Sequence, residues 1–430
     1  MLDILQHGFV FERAVITPYT FATVLLPPIF SCYVMAVLVQ LPHTILHRTS
    51  LLPIVYWLAF RAGMSLDLSW NNPSYDSCNF GLAVSVTFWY VQSWTDSYRA
   101  AQFIMFIIST RCTGWVFAQR TYTRLPPREL GTAAIKNHNG DIPVKHEVSL
   151  SLAMWNACDL LANQRGIGWI GPPKMPIPSP HFRVESRVTF FFLSLGRVVL
   201  LLVFNDILGR CVRSFGLDNA LRMPEGGTLF DPSLPPLERY RNSSLITFAA
   251  AFSAYFAIDA GYHLLAALFT LLFQQYPSQW PPFFDAPLLS TSLTSFWSTR
   301  WHQSYRESFV EVGSRPLEIY FGRVGRILGA FAVSAALHDV GLRGMGRGTN
   351  TPEVVRFFLS NAVGMIIEYA WKEATGKYVG GIIGFLWTFS YLVTTASIFM
   401  DVWVRKGLLG FDFGPEAWMP TTLFLNWVSE

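Results

Sequence analysis

Apolar residues run along this chain in blocks, parted by short polar stretches, from residue 18 almost to the C-terminus. A helix needs about 20 mostly apolar residues to cross the hydrocarbon core of a bilayer. By that measure the clearest spans are predicted at 18–41, 187–205, 245–273, 321–340, 354–371 and 379–404. Shorter or interrupted runs lie at 51–63, 80–93 and 101–110. Together they predict about seven to nine spans. The run 245–273 exceeds one crossing, so tilt or extension past the membrane is expected there. The fold class this predicts is all-α, a polytopic transmembrane helical bundle that makes residues 1–430 one membrane domain.

Two longer polar stretches interrupt the pattern. Residues 111–185 hold Arg111, Arg120, Arg124, Arg128, Lys136 and Lys145, then the proline-rich GPPKMPIPSP; residues 206–242 hold PEGG and DPSLPP. Proline fixes φ and lacks a backbone donor, so both are read as extramembrane loops. The basic excess of the first favours the cytoplasmic side. The segment 276–316 is different in kind. Phe296, Trp297, Trp301, Tyr305 and Phe309 recur at three- and four-residue spacing, while Arg300, Arg306, Glu307 and Glu311 fall elsewhere on the wheel. That spacing predicts an interfacial helix, lying along the membrane surface or lining a cavity there, and on periodicity alone the plainer reading is that its aromatics only anchor it at the headgroups.

Composition strengthens the membrane reading. Of 430 residues, 51% are hydrophobic and 14% charged, with 36 Phe and 15 Trp; a soluble domain carries about 25% charged residues. The net charge of +4 comes with no clustered basic face, which argues against nucleic-acid binding. Cys32, Cys78, Cys112, Cys158 and Cys211 are far apart and form no CxxC pair, so neither a disulfide framework nor a zinc site is expected. The start, MLDILQHGFVFERAV, lacks the layout of a cleavable signal peptide, and the first apolar block is expected to act as a retained signal anchor. No G-x-x-x-x-G-K-[ST] loop and no G-x-S-x-G elbow is present, which leaves ATP-driven transport and serine hydrolysis unsupported. Nor is there the histidine-rich spacing of a di-iron membrane oxygenase.

Ionisable residues at membrane depth carry the chemistry, because they usually face the bundle interior or a wet cavity. His338 ends the apolar run from Ile327 to Leu337; Ser334 lies one turn before it, and Gly325 and Gly329 earlier on the same helix allow close packing. A neutral imidazole accepts a proton near pH 7, which makes His338 a candidate general base, with a hydrogen-bonded core histidine as the alternative. Asp259 and His263 form an i, i+4 pair in another apolar helix, expected to satisfy each other structurally; two ligands are too few for a metal site, and no metal is expected. Glu368 lies in a further apolar segment and is assigned no role.

The stretch SFWSTRWHQ at 295–303, followed by SAALHD at 334–339, resembles the wax synthase-like branch of the membrane-bound O-acyltransferases. Phe296, Trp297, Arg300, Trp301 and His302 match its F-W-x-x-R-W-H-like block, and Ser334 and His338 match its second element. Arg165-Gly166-Ile167-Gly168-Trp169 resembles a block common in fungal members. The likeness covers roughly 150–400 by order and spacing of elements. It implies an internal reaction chamber in which His338 deprotonates the acceptor hydroxyl and His302 assists positioning or charge stabilisation. Trp297, Arg300, Trp301 and Ser334 are then expected to shape the substrate site. The implied donor is an acyl-CoA, with no other cofactor, and the implied acceptor an apolar alcohol entering from the bilayer. Compact fungal members point to acetyl-CoA, a terpenoid or meroterpenoid hydroxyl and residence in the endoplasmic reticulum. A fatty acyl-CoA with a wax alcohol or sterol is the alternative within the family. A membrane transporter whose buried His and Asp couple protons is the alternative from another class.

Overall fold

The computed structural model describes residues 14–15, 17–67, 98–118, 120–125, 148–163, 165–172, 184–212, 214–215, 227–272, 274–344, 349–406 and 419–429. The predicted span at 80–93 lies outside them. The chain is a helical polytopic membrane protein. Among the described residues, six helical segments are long and apolar enough to cross a membrane: Pro18–Leu38, Arg187–Val212, Pro236–Leu272, Arg306–Leu342, Thr351–Thr375 and Gly381–Arg405. They coincide with the six clearest runs of the sequence.

The chain divides into two compact units. The first comprises Met1–Thr123, His146–Gln164 and Ala336–Gly348. Its helices are α1 (Leu26–Leu38), α2 (Ile45–Ser65), α3 (Tyr98–Val116) and α4 (Leu150–Ala162). Two-residue strands at Ala14–Val15 and Leu66–Asp67 pair in parallel. Met35, Ala36, Val55, Ala62, Cys112, Trp115 and Tyr122 form the buried interior. Polar side chains tie the helices by donating to backbone carbonyls, two of them at the end of α4 where the helix leaves them open. Arg111 donates to Leu160 O and Leu161 O at 2.9 Å each, at the end of α4, and Gln40 Nε2 donates to Ala153 O at 3.0 Å. Helix α4 falls inside the stretch expected to be a loop: thirteen residues of LSLAMWNACDLLA, N-capped by Ser149 accepting from Leu152 N, outweigh the polar flanks. The other loop expectation, 206–242, is also narrower in the structure, because helices extend into it from both sides.

The second unit comprises Arg124–Lys145, Arg165–Ala335 and Thr349–Glu430. Helices α5 (Arg187–Val212) and α6 (Pro236–Leu272) pack side by side along their length. Between them Asp259 accepts from Arg197 Nη2 at 2.9 Å and Nε at 3.2 Å. The expected Asp259–His263 pairing is corrected here. His263 Nε2 stands 3.8 Å from Asp259, beyond hydrogen-bond reach, and the satisfying partner comes from the neighbouring helix.

Helix α7 (Arg315–Gly344) is not straight. Gly322 has φ 55° and ψ −139°, where the chain doubles back. The arm before it packs against the arm after it. Ser314 Oγ donates to Arg326 O at 2.9 Å, and a Cβ on either Gly313 or Gly329 would collide with the other's carbonyl oxygen. The Gly325-x-x-x-Gly329 pattern therefore packs α7 against its own preceding arm. Helices α8 (Thr351–Thr375), α9 (Gly381–Arg405) and α10 (Pro420–Ser429) complete the unit. Helix α8 ends where Gly376, at φ 71°, donates to Lys372 O at 2.8 Å. Large apolar side chains such as Ile382, Ile383, Leu386 and Phe192 project outward, as a lipid-facing surface requires.

Candidate functional site in the second unit

Residues 276–316 do not form the single interfacial helix that the aromatic spacing predicts. A short helical turn at Leu293–Ser295 runs into a π-turn at Phe296–Arg300, and Trp301 is extended at φ −72°, ψ 155°. Helical structure resumes at Arg306. The break arises because side chains and one backbone amide of the preceding segment satisfy the carbonyls that a continuing helix would use. Gln303 Nε2 donates to Trp297 O at 3.0 Å and Trp301 O at 2.8 Å, Arg306 Nη1 donates to Ser298 O at 3.1 Å, and Asp285 N donates to Arg300 O at 2.9 Å. Arg300 folds back to donate to Asp285 O and Ala286 O at 3.0 Å each. The turn is thereby tied to the strap 276–290 that precedes it.

This geometry presents His302 to aromatic rings. Phe283 lies nearly parallel to it, with centroids 5.6 Å apart and planes at 20°. Phe284 meets it edge-on at 5.8 Å, and Trp301 is tilted at 5.5 Å. Phe284 also contacts Tyr255 of α6 at 4.5 Å, and Phe283 contacts Tyr262 at 4.7 Å. His302 is half-buried in this cluster. The result is an apolar setting with an imidazole in it.

Helix α8 holds the turn from the other side. The buried Glu368 carboxylate accepts from Leu293 N at 2.6 Å, Thr294 N at 2.8 Å, Thr294 Oγ1 at 2.7 Å and Trp387 Nε1 at 3.0 Å. Asn361, wholly buried, accepts from Trp297 Nε1 at 3.0 Å and donates to Phe357 O at 2.9 Å. Neither role was foreseen. The available signal was a carboxylate and an amide inside an apolar run, which need partners there. On α7, Ser334 is buried and His338 half-buried, one helical turn apart, with buried Asp339 beside His338. The structure thus brings Trp297, Arg300, Trp301 and His302 together in the second unit and puts His338 on the segment of α7 that belongs to the first.

Arg165 reaches the strap from a tight turn. Gly166 and Gly168 sit at φ 62° and 81°, and a Cβ on Gly166 would meet Pro172 Cγ at 2.9 Å. Arg165 donates to Pro281 O at 3.2 Å, Pro282 O at 3.1 Å and Tyr262 Oη at 3.3 Å. Burial pulls its guanidinium pKa below the ordinary value, against the favourable effect of Tyr262. Burial likewise pushes the Tyr305 phenol up.

Residues 280–360 match the membrane bound O-acyl transferase family. An acetyltransferase of Aspergillus fumigatus is 26% identical over 168 residues, covering 32% of this chain and 28% of that protein. An acetyltransferase of Hericium erinaceus is 23% identical over 288 residues, covering 60% of this chain and 69% of that protein. A long-chain-alcohol O-fatty-acyltransferase of Simmondsia chinensis is 28% identical over 138 residues, covering 30% of this chain and 39% of that protein. Except for the Hericium protein, the chain matches less than two thirds of the length of these relatives. The segment similar to the membrane bound O-acyl transferase family contains both the FWSTRWH turn and His338.

Proposed function

We propose that this protein is a membrane-embedded O-acyltransferase that moves an acyl group from acyl-CoA to the hydroxyl of an apolar alcohol. The observation that carries the reading is the FWSTRWH turn, fixed by Arg300, Asn361 and Glu368 so that His302 stands among Phe283, Phe284 and Trp301. An alcohol attacks a thioester only as a base takes its proton, and His338 is assigned that role. The developing oxyanion needs a donor, and His302 is assigned to its stabilisation. Trp297, Arg300, Trp301 and Ser334 are assigned to substrate binding, and Arg300 also keeps the turn in place. Besides acyl-CoA as co-substrate the reaction needs no cofactor, and the apolar surroundings keep water from the thioester.

Acetyl is the preferred acyl group and a terpenoid or meroterpenoid alcohol the preferred acceptor, in the endoplasmic reticulum. Relatives named as acetyltransferases in Aspergillus fumigatus and Hericium erinaceus support this. The likeness to the Simmondsia chinensis protein favours long-chain transfer as the second reading. The test is an assay on membranes holding the protein, with labelled acetyl-CoA and palmitoyl-CoA against terpenoid and long-chain alcohols. Acetyl ester is expected, and His338→Ala is expected to lower kcat by about 10²- to 10⁴-fold. Palmitoyl ester alone moves the assignment to wax-type synthesis. Wild-type rates in His338→Ala remove it as the base, and no ester with any pair overturns the enzyme reading.

A further inference from the structure

The buried guanidinium of Arg165 has a job that the acyl-transfer chemistry does not name. It is 9% exposed and sits where charge is costly, yet its hydrogen bonds go to two backbone carbonyls and one phenol. The two carbonyls belong to Pro281 and Pro282, which precede Phe283 in the chain. Prolines donate no backbone hydrogen bond, so this part of the strap has little of its own to hold it. Arg165 supplies the anchor. Its planar fork reaches both carbonyls at once, which a lysine's single ammonium on a flexible stem does not do. Tyr262 Oη donates to Pro281 O as well, at 2.5 Å, and its ring packs on Phe283. Arg165 itself lies over the Phe283 ring, 5.5 Å from its centroid. Phe283 in turn stacks on His302 at 5.6 Å and 20°.

We infer that Arg165 is a positioning residue: by clamping the Pro281 and Pro282 carbonyls it fixes the Phe283 ring against which the His302 imidazole is oriented. The Arg-Gly-Ile-Gly-Trp block then has a physical purpose. Gly166 and Gly168 take positive φ so that the turn delivers Arg165 beneath the strap, with Trp169 buried as its foot. The catalytic consequence rests on the acyltransferase reading; the structural claim, that Arg165 controls the setting of His302, does not.

The test therefore has two readouts. The first is independent of activity: the rate at which diethyl pyrocarbonate modifies His302, followed by mass spectrometry of the peptide that contains it, in the full-length protein in membranes. Arg165→Ala and Phe283→Ala are each expected to raise that rate several-fold, and the double variant no further than either alone, because both act on one contact. Arg165→Lys is expected to behave like Arg165→Ala. His338 in the same samples is the control and is expected to keep its wild-type rate. Equal acceleration at His338 shows general loosening and overturns the inference, as does an unchanged His302 rate in Arg165→Ala. Restoration by Arg165→Lys shows that charge alone suffices and overturns the clamp. The second readout is kinetic. Displacing a reacting group by about 1 Å costs on the order of a hundredfold in rate, so Arg165→Ala is expected to lower kcat to that extent with KM for acyl-CoA little changed. In a His302→Ala background the same change is expected to have no further effect on kcat. A shifted labelling rate in a protein whose wild type transfers no acyl group leaves the clamp standing and removes the acyltransferase reading instead.

Discussion

Glu368 shows how much one buried residue does for the candidate site. Its two oxygens accept two backbone N–H groups, a hydroxyl and an indole N–H. Removing it strands those donors, which are buried or half-buried. A donor left unsatisfied in this way costs about 1–3 kcal/mol. Glu368→Ala is therefore expected to cost at least about 3 kcal/mol, read as a lower thermal-unfolding midpoint in detergent. Glu368→Gln keeps one acceptor and is expected to lose clearly less. Equal midpoints for the two variants would show that the carboxylate is not what secures the 293–300 turn. This role was not legible in the sequence. An acid in an apolar run demands a partner, but the partners are backbone amides 74 and 75 residues away, which carry no signature of their own. His302 differs: the aromatic block around it is dense enough to mark the turn, although spacing alone does not show that Phe283 is the ring beneath it.

Helical elements were legible where burial in lipid sets their length, and illegible where backbone geometry interrupts them. The spans at 187–205, 354–371 and 379–404 reappear as α5, α8 and α9 because an apolar run of that length has few other stable forms in a bilayer. The break after Arg300 and the reversal at Gly322 come from side-chain caps and from a φ that glycine tolerates, and hydropathy is blind to both. The reversal makes a sharp prediction. Gly329 and Gly313 touch backbone to backbone across the two arms, so Gly329→Ala forces the arms apart. Overpacking of this kind costs typically 1–3 kcal/mol, occasionally more. Gly196 in α5 has no atom within 4 Å of a built Cβ. Gly196→Ala is expected to be neutral or to stabilise α5 by up to about 1 kcal/mol, through helix propensity alone. Thermal unfolding of the two variants side by side decides the point: similar midpoints would mean that the arms are not held by the glycine contact.

For the molecule as a whole, the surrounding lipid decides which polar groups are tolerable. The 14% charged composition already indicated this solvent, and the outward Ile and Leu side chains agree with it. What composition does not reveal is how the few charges inside spans are neutralised, since pairing across helices depends on which faces meet. Arg197 is the instructive case. Its side chain is 52% exposed while the Asp259 side chain that it pairs with is 2% exposed. Asp259→Ala leaves an arginine partly facing hydrocarbon, at a cost of roughly 3 kcal/mol for a charge near the middle of a span. Replacing both partners by apolar residues of similar size removes the charge and the need for its partner together, and such replacements are often neutral or stabilising. Arg197→Met/Asp259→Leu is therefore expected to accumulate in membranes near the wild-type level and to unfold at a similar temperature, whereas Asp259→Ala accumulates poorly. Should the double variant be as impaired as the single, the pair would be contributing more than mutual neutralisation. A double variant that is stable but inactive in acyl transfer would place the ion pair among the groups that serve the reaction rather than the fold.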